Sequence, residues 1–326
     1  MSKVVTVGVP ASTSNLGAGF DCVGVAVDRW INVRATLDDS VRGFAIERRG
    51  TLAQLTLDAA DDRLAAGFRA ACRRARRELP AGVAFDATSN IPVGRGLGSS
   101  ASATLAGALA ANALLALGLT ERSIAMACAE VEGHPDNVVP SLFGGARLAL
   151  KGADGSLLVA PLHVHDSLAL VFAIPDFAVE TVHARAVLPP TVAHATATRA
   201  AALGAALVQG LATANEGLLS SALSDVLHVP FRRGLIEGYD AVTRAARRAG
   251  AFGATLSGSG STILAIAPAE SAENVAAQMV AAWQALRVSA EPLINPPRVG
   301  GATVNVAAAA PPAPRAARPR EVSAST

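Results

Sequence analysis

Apolar residues in the first part of the chain fall into short runs that predict strands and a longer periodic stretch that predicts a helix. The runs at 4–9 and 23–27 are rich in valine, as buried strands are, and apolar and polar residues alternate at 31–37 and 52–57, as in half-exposed strands. In residues 63–79 the apolar positions recur at spacings of three and four, which predicts an amphipathic helix. Strands and helices therefore alternate in this half of the chain.

The segment 101–119 carries no charged residue and predicts a helix. Its hydropathy resembles that of a membrane span, but its many alanines and the polar Ser102, Thr104 and Asn112 favour a helix buried in a protein core. The N-terminus lacks the sustained apolar segment of a signal peptide, and the three cysteines are too widely spaced to suggest a disulfide or metal pair. We therefore expect a cytoplasmic protein.

The rest of the chain shows a similar mixture of elements. Strands are predicted at 83–88, 147–150, 157–163, 167–174, 263–267 and 302–306. Helices are predicted at 121–131, 191–209, 216–227, 235–249 and 271–286. The polar turn at 151–156 divides these elements, so we expect an N-terminal domain over residues 1–155, a C-terminal domain over 156–306 and a disordered Ala- and Pro-rich tail over 307–326. The element order predicts the α+β class.

The stretch Pro-Val-Gly-Arg-Gly-Leu-Gly-Ser-Ser-Ala at 92–101 joins a predicted strand to the uncharged helix. Alternating glycines keep its backbone N–H groups uncovered, and Ser99 and Ser100 are good helix N-cap residues. A loop of this kind at a helix N-terminus favours anions, so we predict a phosphate site; a tight turn that merely needs glycine is the alternative. It is not a Walker A loop, since no lysine follows the last glycine, and it lacks the spacing of the dinucleotide fingerprint.

Polar, glycine-bearing clusters interrupt the apolar chain at four places and suggest one shared site: 11–21, 92–101, 132–137 and 253–262. Together they resemble the GHMP kinases. The loop 92–101 is similar to the family's P-x-G-x-G-L-G-S-S-A phosphate loop at every fixed position, and 253–262 is similar to its C-terminal glycine motif.

Within that family the likeness is to the homoserine kinases. Residues 10–21 resemble an N-terminal signature that ends in N-L-G-P-G-F-D, and 132–138 reads E-G-H-P-D-N-V as in that group. The chain departs from the pattern at Ala18 and Ser261, each of which stands where the group usually has proline.

The resemblance implies a two-domain fold with an N-terminal half like domain 2 of ribosomal protein S5 and a ferredoxin-like C-terminal half. It implies ATP-dependent phosphorylation of the side-chain hydroxyl of L-homoserine to O-phospho-L-homoserine, in threonine biosynthesis. A GHMP kinase for another small hydroxylated acceptor, mevalonate-type or sugar, and an inactive GHMP fold that acts as a regulator are the alternatives. One Tyr, two Trp and a net charge of +2 argue against a nucleic-acid partner. The resemblance is compatible with a homodimer.

The resemblance also assigns residues to ATP and Mg²⁺. The phosphates would lie against the loop formed by Pro92, Gly94, Arg95, Gly96, Leu97, Gly98, Ser99, Ser100 and Ala101. Ser100 and Glu132 would hold the magnesium ion, which takes few protein oxygens and keeps several waters. Glu130, two residues earlier, is the competing carboxylate.

An amino-acid substrate needs an anion for its ammonium and cations for its carboxylate. By the resemblance, the ammonium would be held by Asp21 with Asn15 and Asp136, and the carboxylate by Arg185 and Arg232. For either arginine alone, a surface ion pair is the other interpretation. The implied substrate pocket is completed by Asn137, Thr181 and Gly258.

The catalytic residues implied are Ser100, Asn137 and Arg185. Mevalonate-type relatives carry an aspartate where this chain has Asn137, and an amide cannot take a proton. The resemblance therefore implies catalysis without a dedicated protein base, a hypothesis in which the hydroxyl proton goes to the phosphate or to water. For His134, in the same loop, we expect a structural hydrogen bond.

Overall fold

A computed structural model describes residues 3–308, in which eleven strands and ten α-helices are arranged around two sheets. The strands are β1 (Lys3–Asn15), β2 (Gly19–Leu37), β3 (Gly43–Gly50), β4 (Gly82–Ser89), β5 (Ala146–Lys151), β6 (Leu157–Leu162), β7 (Leu168–Pro175), β8 (Gly253–Leu256), β9 (Ile263–Pro268), β10 (Ala290–Ile294) and β11 (Thr303–Ala308). The helices are α1 (Arg63–Arg74), α2 (Ser99–Leu114), α3 (Glu121–Glu132), α4 (Val138–Phe143), α5 (Thr181–Ala186), α6 (His194–Thr213), α7 (Glu216–Ala222), α8 (Val229–Arg232), α9 (Tyr239–Arg248) and α10 (Ala272–Gln284).

The larger sheet has seven strands, five of them in the order β11-β1-β2-β4-β3. The first half of the long strand β2 also pairs with β5, which in turn carries β6. Only β3 and β4 run parallel among the described pairs. The β1–β2 ladder shifts register between Ser14 and Asn15, where Asn15 has a φ of 75°. This irregular end of the hairpin turns toward the polar clusters.

Helix α2 is the central helix of the first half. It packs against α1, α3 and β1, and its residues from Ala101 to Ala111 are buried. A helix without charge and without a polar face can be stable only inside a core, as the composition of 101–119 predicts. The helix stops at Leu114, five residues before the predicted end.

The second sheet has the order β10-β7-β9-β8 with antiparallel pairs throughout. Helices α9 and α10 pack against it, and the side chain of Trp283 on α10 is fully buried there. In chain order these elements run β7-α9-β8-β9-α10-β10, the ferredoxin-like arrangement. The predicted α+β class is confirmed.

The strand predicted at 52–57 is wrong, because these residues form a turn and an extended stretch without ladder pairing. Strand β3 lies before it, at Gly43–Gly50, and pairs with β4. Leu52 is nevertheless buried, so its apolar character reflects packing from a turn rather than a strand. Helix α1 also ends at Arg74, short of the predicted residue 79.

The division between the two sheets does not coincide with the division expected at residue 155. Strands β6 and β11 both belong to the larger sheet, so the chain crosses between the sheets at 163–167 and again at 295–302. The first two residues of the expected tail, 307 and 308, are the end of β11; the rest of that tail lies outside the described residues. Nowhere in residues 3–308 is a helix both long and apolar enough to cross a membrane.

Candidate active site

The predicted phosphate loop leads into the N-terminus of α2. Gly94, Gly96 and Gly98 have φ values of 70°, 73° and 67°, a region that glycine enters without strain. The helix N-cap is Gly98, so Ser99 and Ser100 lie in the first turn and are not the caps that we predicted. First-turn N–H groups have no partner within their own helix, and this end of α2 is therefore suited to an anion.

The loop is clamped between β1 and the turn that follows β8. Ser12 N–H donates to the carbonyl of Leu97 (3.2 Å), and the hydroxyl of Ser257 donates to the carbonyl of Gly96 (2.8 Å). A side chain at Gly96 would collide with the backbone at Ser257, and one at Gly98 would collide with Ser12. Both positions therefore require glycine for two reasons: the neighbouring segments approach too closely for a side chain, and the φ angles are positive.

Arg95 is engaged at the second sheet. Its guanidinium donates to the carbonyl of Pro175, and its Nε is buried without a hydrogen-bond partner within the described residues. Burial, opposed by the charge of Asp176, lowers the pKa of Arg95. The residue lines a cavity of about 560 Å³ with Pro92 and Asn90. Neutralisation of phosphate by Arg95 stays a prediction.

Ser100 lies next to one of the two candidate carboxylates. Its hydroxyl donates to Glu132 Oε1 (3.0 Å), and Glu132 is 8% exposed at the end of α3. Glu130 is 68% exposed and pairs with Arg74. Of the two glutamates, Glu132 is thus the one placed at the phosphate loop.

Two further residues converge on the same carboxylate oxygen. Thr104, one helical turn beyond Ser100, donates its hydroxyl to Glu132 Oε1 (2.7 Å), and Arg63 lies 3.6 Å from that oxygen. Oε2 accepts no hydrogen bond within residues 3–308. Residues four apart on a helix lie on the same face, so the hydroxyl of Thr104 lies on the same side of α2 as that of Ser100. The sequence could have indicated this residue only if the start of the helix had been known.

Asn137 is buried beside the phosphate loop. It accepts from the Ser12 hydroxyl at Oδ1 (3.1 Å) and donates from Nδ2 to the Ser14 hydroxyl (3.0 Å) and more weakly to Asp136 (3.4 Å). These contacts fix the orientation of the amide. Neither serine was singled out from the sequence, although both lie in the motif at 10–21.

Asp136 and His134 form a buried pair. Asp136 is 1% exposed, and His134 Nδ1 faces its carboxylate. Burial disfavours the charged imidazole, but the hydrogen bond and the charge of Asp136 outweigh burial and raise the pKa of His134. The structural hydrogen bond expected for His134 is thus present.

Asp21 and Arg185 form an ion pair at the open side of the site. Arg185 donates twice to the Asp21 carboxylate, at 2.8 and 3.2 Å, and the side chains are 37% and 40% exposed. The hydrogen bond to Asp21 raises the pKa of Arg185. The side chain of Asn15 fixes the backbone next to this pair, because it accepts a hydrogen bond from the Asp21 N–H and donates one to the carbonyl of Gly258 (2.8 Å).

Arg232 is only 2% exposed, yet no carboxylate of residues 3–308 lies within 4 Å of it. Its guanidinium donates to the carbonyls of Ala184 (2.9 Å) and Gly258 (3.5 Å). Burial and the nearby charge of Arg185 lower the pKa of Arg232 to about 10, so it stays a cation at neutral pH. Thr181 lies further out, with its hydroxyl 3.4 Å from that of Ser259.

These contacts link most of the predicted site residues into one continuous set around the phosphate loop. At the two departures from the family pattern, the residues present make bonds that proline could not. Ala18 N–H donates to the carbonyl of Ala222, and the Ser261 hydroxyl donates to the carbonyl of Phe177.

The chain is similar to known proteins over most of its length. The sequence model of the GHMP kinases N terminal domain matches residues 64–145, and that of the GHMP kinases C terminal domain matches residues 202–285. Homoserine kinase of Microchaete diplosiphon is 40% identical over 88% of this chain and 92% of its own length, and that of Picosynechococcus sp. is 41% identical over 88% and 94%. The crystal structure of homoserine kinase from Cytophaga hutchinsonii superposes with a TM-score of 0.82 at 30% identity, covering 93% of this chain and 97% of that one.

The chain belongs to the GHMP kinases, and it is an ATP-dependent kinase with an alcohol group as acceptor. Within that family it groups with the homoserine kinases.

Proposed function

We propose that this kinase transfers the γ-phosphoryl group of ATP to the side-chain hydroxyl of L-homoserine and releases O-phospho-L-homoserine, a step of threonine biosynthesis. The observation that carries the proposal is the buried guanidinium of Arg232, which has no carboxylate within 4 Å among the described residues and lies close enough to the buried Asp136 for that carboxylate to influence its pKa. An unpaired buried cation is costly, and a substrate carboxylate offsets that cost. A buried cation and a buried carboxylate near each other are the charges that a zwitterionic amino acid needs.

The substrate carboxylate would pair with Arg232, where the guanidinium fork allows two hydrogen bonds. The ammonium would lie at Asp136 and Asp21. Arg185 already binds Asp21, so we infer that it either stays on that carboxylate or swings to the substrate carboxylate as the amino acid enters. Asn15 and Gly258 hold the backbone around this pocket, and Thr181 borders it.

The acceptor hydroxyl would lie near Asn137, between the amino-acid pocket and the phosphate loop. The Asn137 amide is oriented by the hydroxyls of Ser12 and Ser14. An amide can orient the acceptor or stabilise a phosphate oxygen, but it cannot remove a proton. We infer that transfer relies on positioning and charge neutralisation, which suffice for phosphoryl transfer.

The triphosphate of ATP would lie against the N-terminus of α2, where Gly94, Gly96 and Gly98 leave the backbone bare. The first-turn N–H groups and the helix dipole favour its negative charge. Ser99, Leu97 and Ala101 contribute backbone to this cradle.

Mg²⁺ is the metal that the donor set fits. Ser100 and Glu132 supply hard oxygen ligands, and Oε2 of Glu132 accepts no hydrogen bond within the described chain, so it is free to serve as a ligand. No cluster of three or more His, Cys, Asp and Glu side chains suited to a metal occurs in residues 3–308, and a magnesium site completed by waters and phosphate oxygens needs none. When bound, the ion would neutralise charge on the phosphates. Ser100 and Glu132 would hold it, and Thr104 would hold Glu132.

The test is ADP release from Mg-ATP with a panel of acceptors: L-homoserine, D-homoserine, L-serine, L-threonine, mevalonate and galactose. Turnover confined mainly to L-homoserine supports the proposal. Turnover with mevalonate or galactose instead overturns the substrate while the kinase class stands. If a folded protein that still binds ATP shows no turnover with any acceptor, the result favours the alternative of an inactive GHMP fold that acts as a regulator.

A homodimer stays a prediction. Size-exclusion chromatography with light scattering measures the molar mass that checks it.

A further inference from the structure

We propose that His228 is a positioning residue that holds the guanidinium of Arg232 in the place where it meets the carboxylate of the substrate. The inference rests on the proposed function, since it assumes that Arg232 binds that carboxylate. His228 is fully buried and touches none of the groups expected to contact ATP, and its role would be exerted through Arg232 alone.

The backbone that carries His228 is tied down by Asp225. One carboxylate oxygen of Asp225 accepts from the N–H groups of His228 (2.6 Å) and Val229 (2.8 Å), and Leu227 N–H donates to the same carboxylate. The side chain of Asp225 is 1% exposed, so these are buried, charge-assisted bonds of the stronger kind. The start of the short helix α8, and with it the imidazole, therefore has a fixed position.

Only one protonation state of the imidazole satisfies both of its contacts. Arg232 NH1 lies 3.4 Å from His228 Nδ1, and a guanidinium only donates, so Nδ1 must be the acceptor. The other nitrogen, Nε2, lies 3.1 Å from the carbonyl of Gly17, which only accepts, so Nε2 carries the proton. Burial, with Asp225 opposing it and Arg232 adding to it, lowers the pKa of His228 and favours the neutral ring.

The ring of Phe20 packs against both His228 and Arg232. Its ring stacks on the imidazole with centroids 4.9 Å apart at 17°, and the Arg232 guanidinium carbon lies 5.2 Å from the centroid of the same ring. A cation over an aromatic face is attracted to it. The guanidinium is therefore bounded by the imidazole and by the phenyl ring.

The remaining contacts of Arg232 use Nε and NH1, and NH2 has no hydrogen-bond partner within residues 3–308. An arginine side chain held in one rotamer before binding loses less entropy when it meets its ligand. Loss of the contact to His228 Nδ1 would free the guanidinium to move and would weaken binding of the substrate carboxylate. ATP would bind as before.

Two substitutions test the roles of the two imidazole nitrogens of His228 separately. Asn places its amide oxygen near the position of Nδ1 and keeps an acceptor for Arg232, whereas Gln places its amide nitrogen near Nε2 and keeps only the bond to Gly17. We expect His228→Gln to raise the KM for L-homoserine about tenfold, the order expected for loss of one hydrogen bond to a charged group. His228→Asn should stay within about threefold of the parent. Neither should change the KM for ATP.

Combination with Arg232→Ala shows whether His228 acts through Arg232. If it does, His228→Gln adds nothing to the loss of kcat/KM for L-homoserine caused by Arg232→Ala, because coupled residues are not additive. Circular dichroism and thermal melting would accompany each variant, and Arg232→Lys replaces Arg232→Ala should the latter melt below the assay temperature.

The outcomes are distinguishable. Additive losses, or equal KM values for the Asn and Gln variants, would overturn the positioning role and leave a structural one. An unchanged KM for L-homoserine in the Arg232 variant would overturn the assignment of Arg232 to the substrate carboxylate, and with it this inference. Absence of turnover with L-homoserine in the parent enzyme would instead overturn the proposed function.

Discussion

Asp21 and Arg185 lie 164 residues apart in the chain and bind each other through two hydrogen bonds of 2.8 and 3.2 Å. The resemblance to the GHMP kinases implies that they bind opposite ends of the substrate, Asp21 the ammonium and Arg185 the carboxylate. In the structure each satisfies the other, and both are partly exposed. Asp21 and Arg185 therefore form a partly exposed ion pair, whereas Asp136 and Arg232 are the buried charges of the proposed substrate pocket.

From this pairing we expect Asp21→Asn and Arg185→Gln each to raise the KM for L-homoserine and to cost little stability. Because more than a third of each side chain is exposed, solvent screens the pair, and its loss should cost about 1 kcal/mol or less. Initial-rate kinetics and urea denaturation would measure the two quantities. A loss of several kcal/mol with unchanged kinetics would show that the pair is structural.

For Asn137→Asp we expect no gain in kcat at neutral pH. The new carboxylate would replace the Nδ2 group that now lies 3.4 Å from Asp136 Oδ1, and two buried carboxylates in contact raise the pKa of one of them. The introduced acid would stay protonated near pH 7, and kcat should fall about tenfold or more and recover only toward alkaline pH.

The pH profile of kcat for the parent and Asn137→Asp decides this prediction. A rise in kcat at neutral pH, with a profile shifted to lower pH, would mean that the parent site is short of a base.

Replacement of the two candidate magnesium ligands should have unequal effects. Glu132→Gln is expected to lower kcat about a hundredfold or more and to raise the Mg²⁺ concentration needed for half-maximal rate, because it removes a charged oxygen beside Ser100. Glu130→Gln, on the exposed face of α3, is the matched control and should be near the parent. Equal losses in the two variants would contradict our assignment.

Thr104→Val removes a hydroxyl from Glu132 while it keeps the shape of the side chain. We expect kcat to fall about tenfold and the Mg²⁺ requirement to rise, since Glu132 loses a 2.7 Å hydrogen bond. Thr104→Ser retains the hydroxyl and should recover most of the rate. If the serine variant were as slow as the valine variant, packing rather than the hydrogen bond would explain the loss.

His134 should contribute stability that depends on pH. Its pKa is raised in the folded protein by Asp136, so the contribution is fully present below the unfolded pKa of about 6.5 and is lost as pH rises through the folded pKa. His134→Asn keeps a donor near the Nδ1 position but cannot carry the charge.

The difference in unfolding free energy between the parent and His134→Asn should therefore be larger at pH 5.5 than at pH 8.5. Urea denaturation at both values measures it. A difference that grows with pH would show that neutral His134 is the stabilising form.

Features set by short-range patterns could be predicted from the sequence. The loop 92–101 and the helix behind it follow from alternating glycines and an uncharged run, and both are local properties of the chain. The α+β class followed from the order of elements. The prediction of a strand at 52–57 is wrong. Residues 43–50 form the strand in its place because they pair in parallel with β4, a contact that no local pattern encodes.

By itself, the sequence of this protein determined which residue types are available at each polar cluster. Its resemblance to the GHMP kinases then implied a phosphate loop, a serine and a glutamate for magnesium, and charged groups for an amino acid. Only the tertiary structure decided among them. It placed Glu132 rather than Glu130 at Ser100, because the phase of α3 against α2 turns one glutamate inward and the other to solvent. It also brought Asp21 to Arg185 and His228 to Arg232, since such contacts arise when loops from distant parts of the chain pack around one pocket.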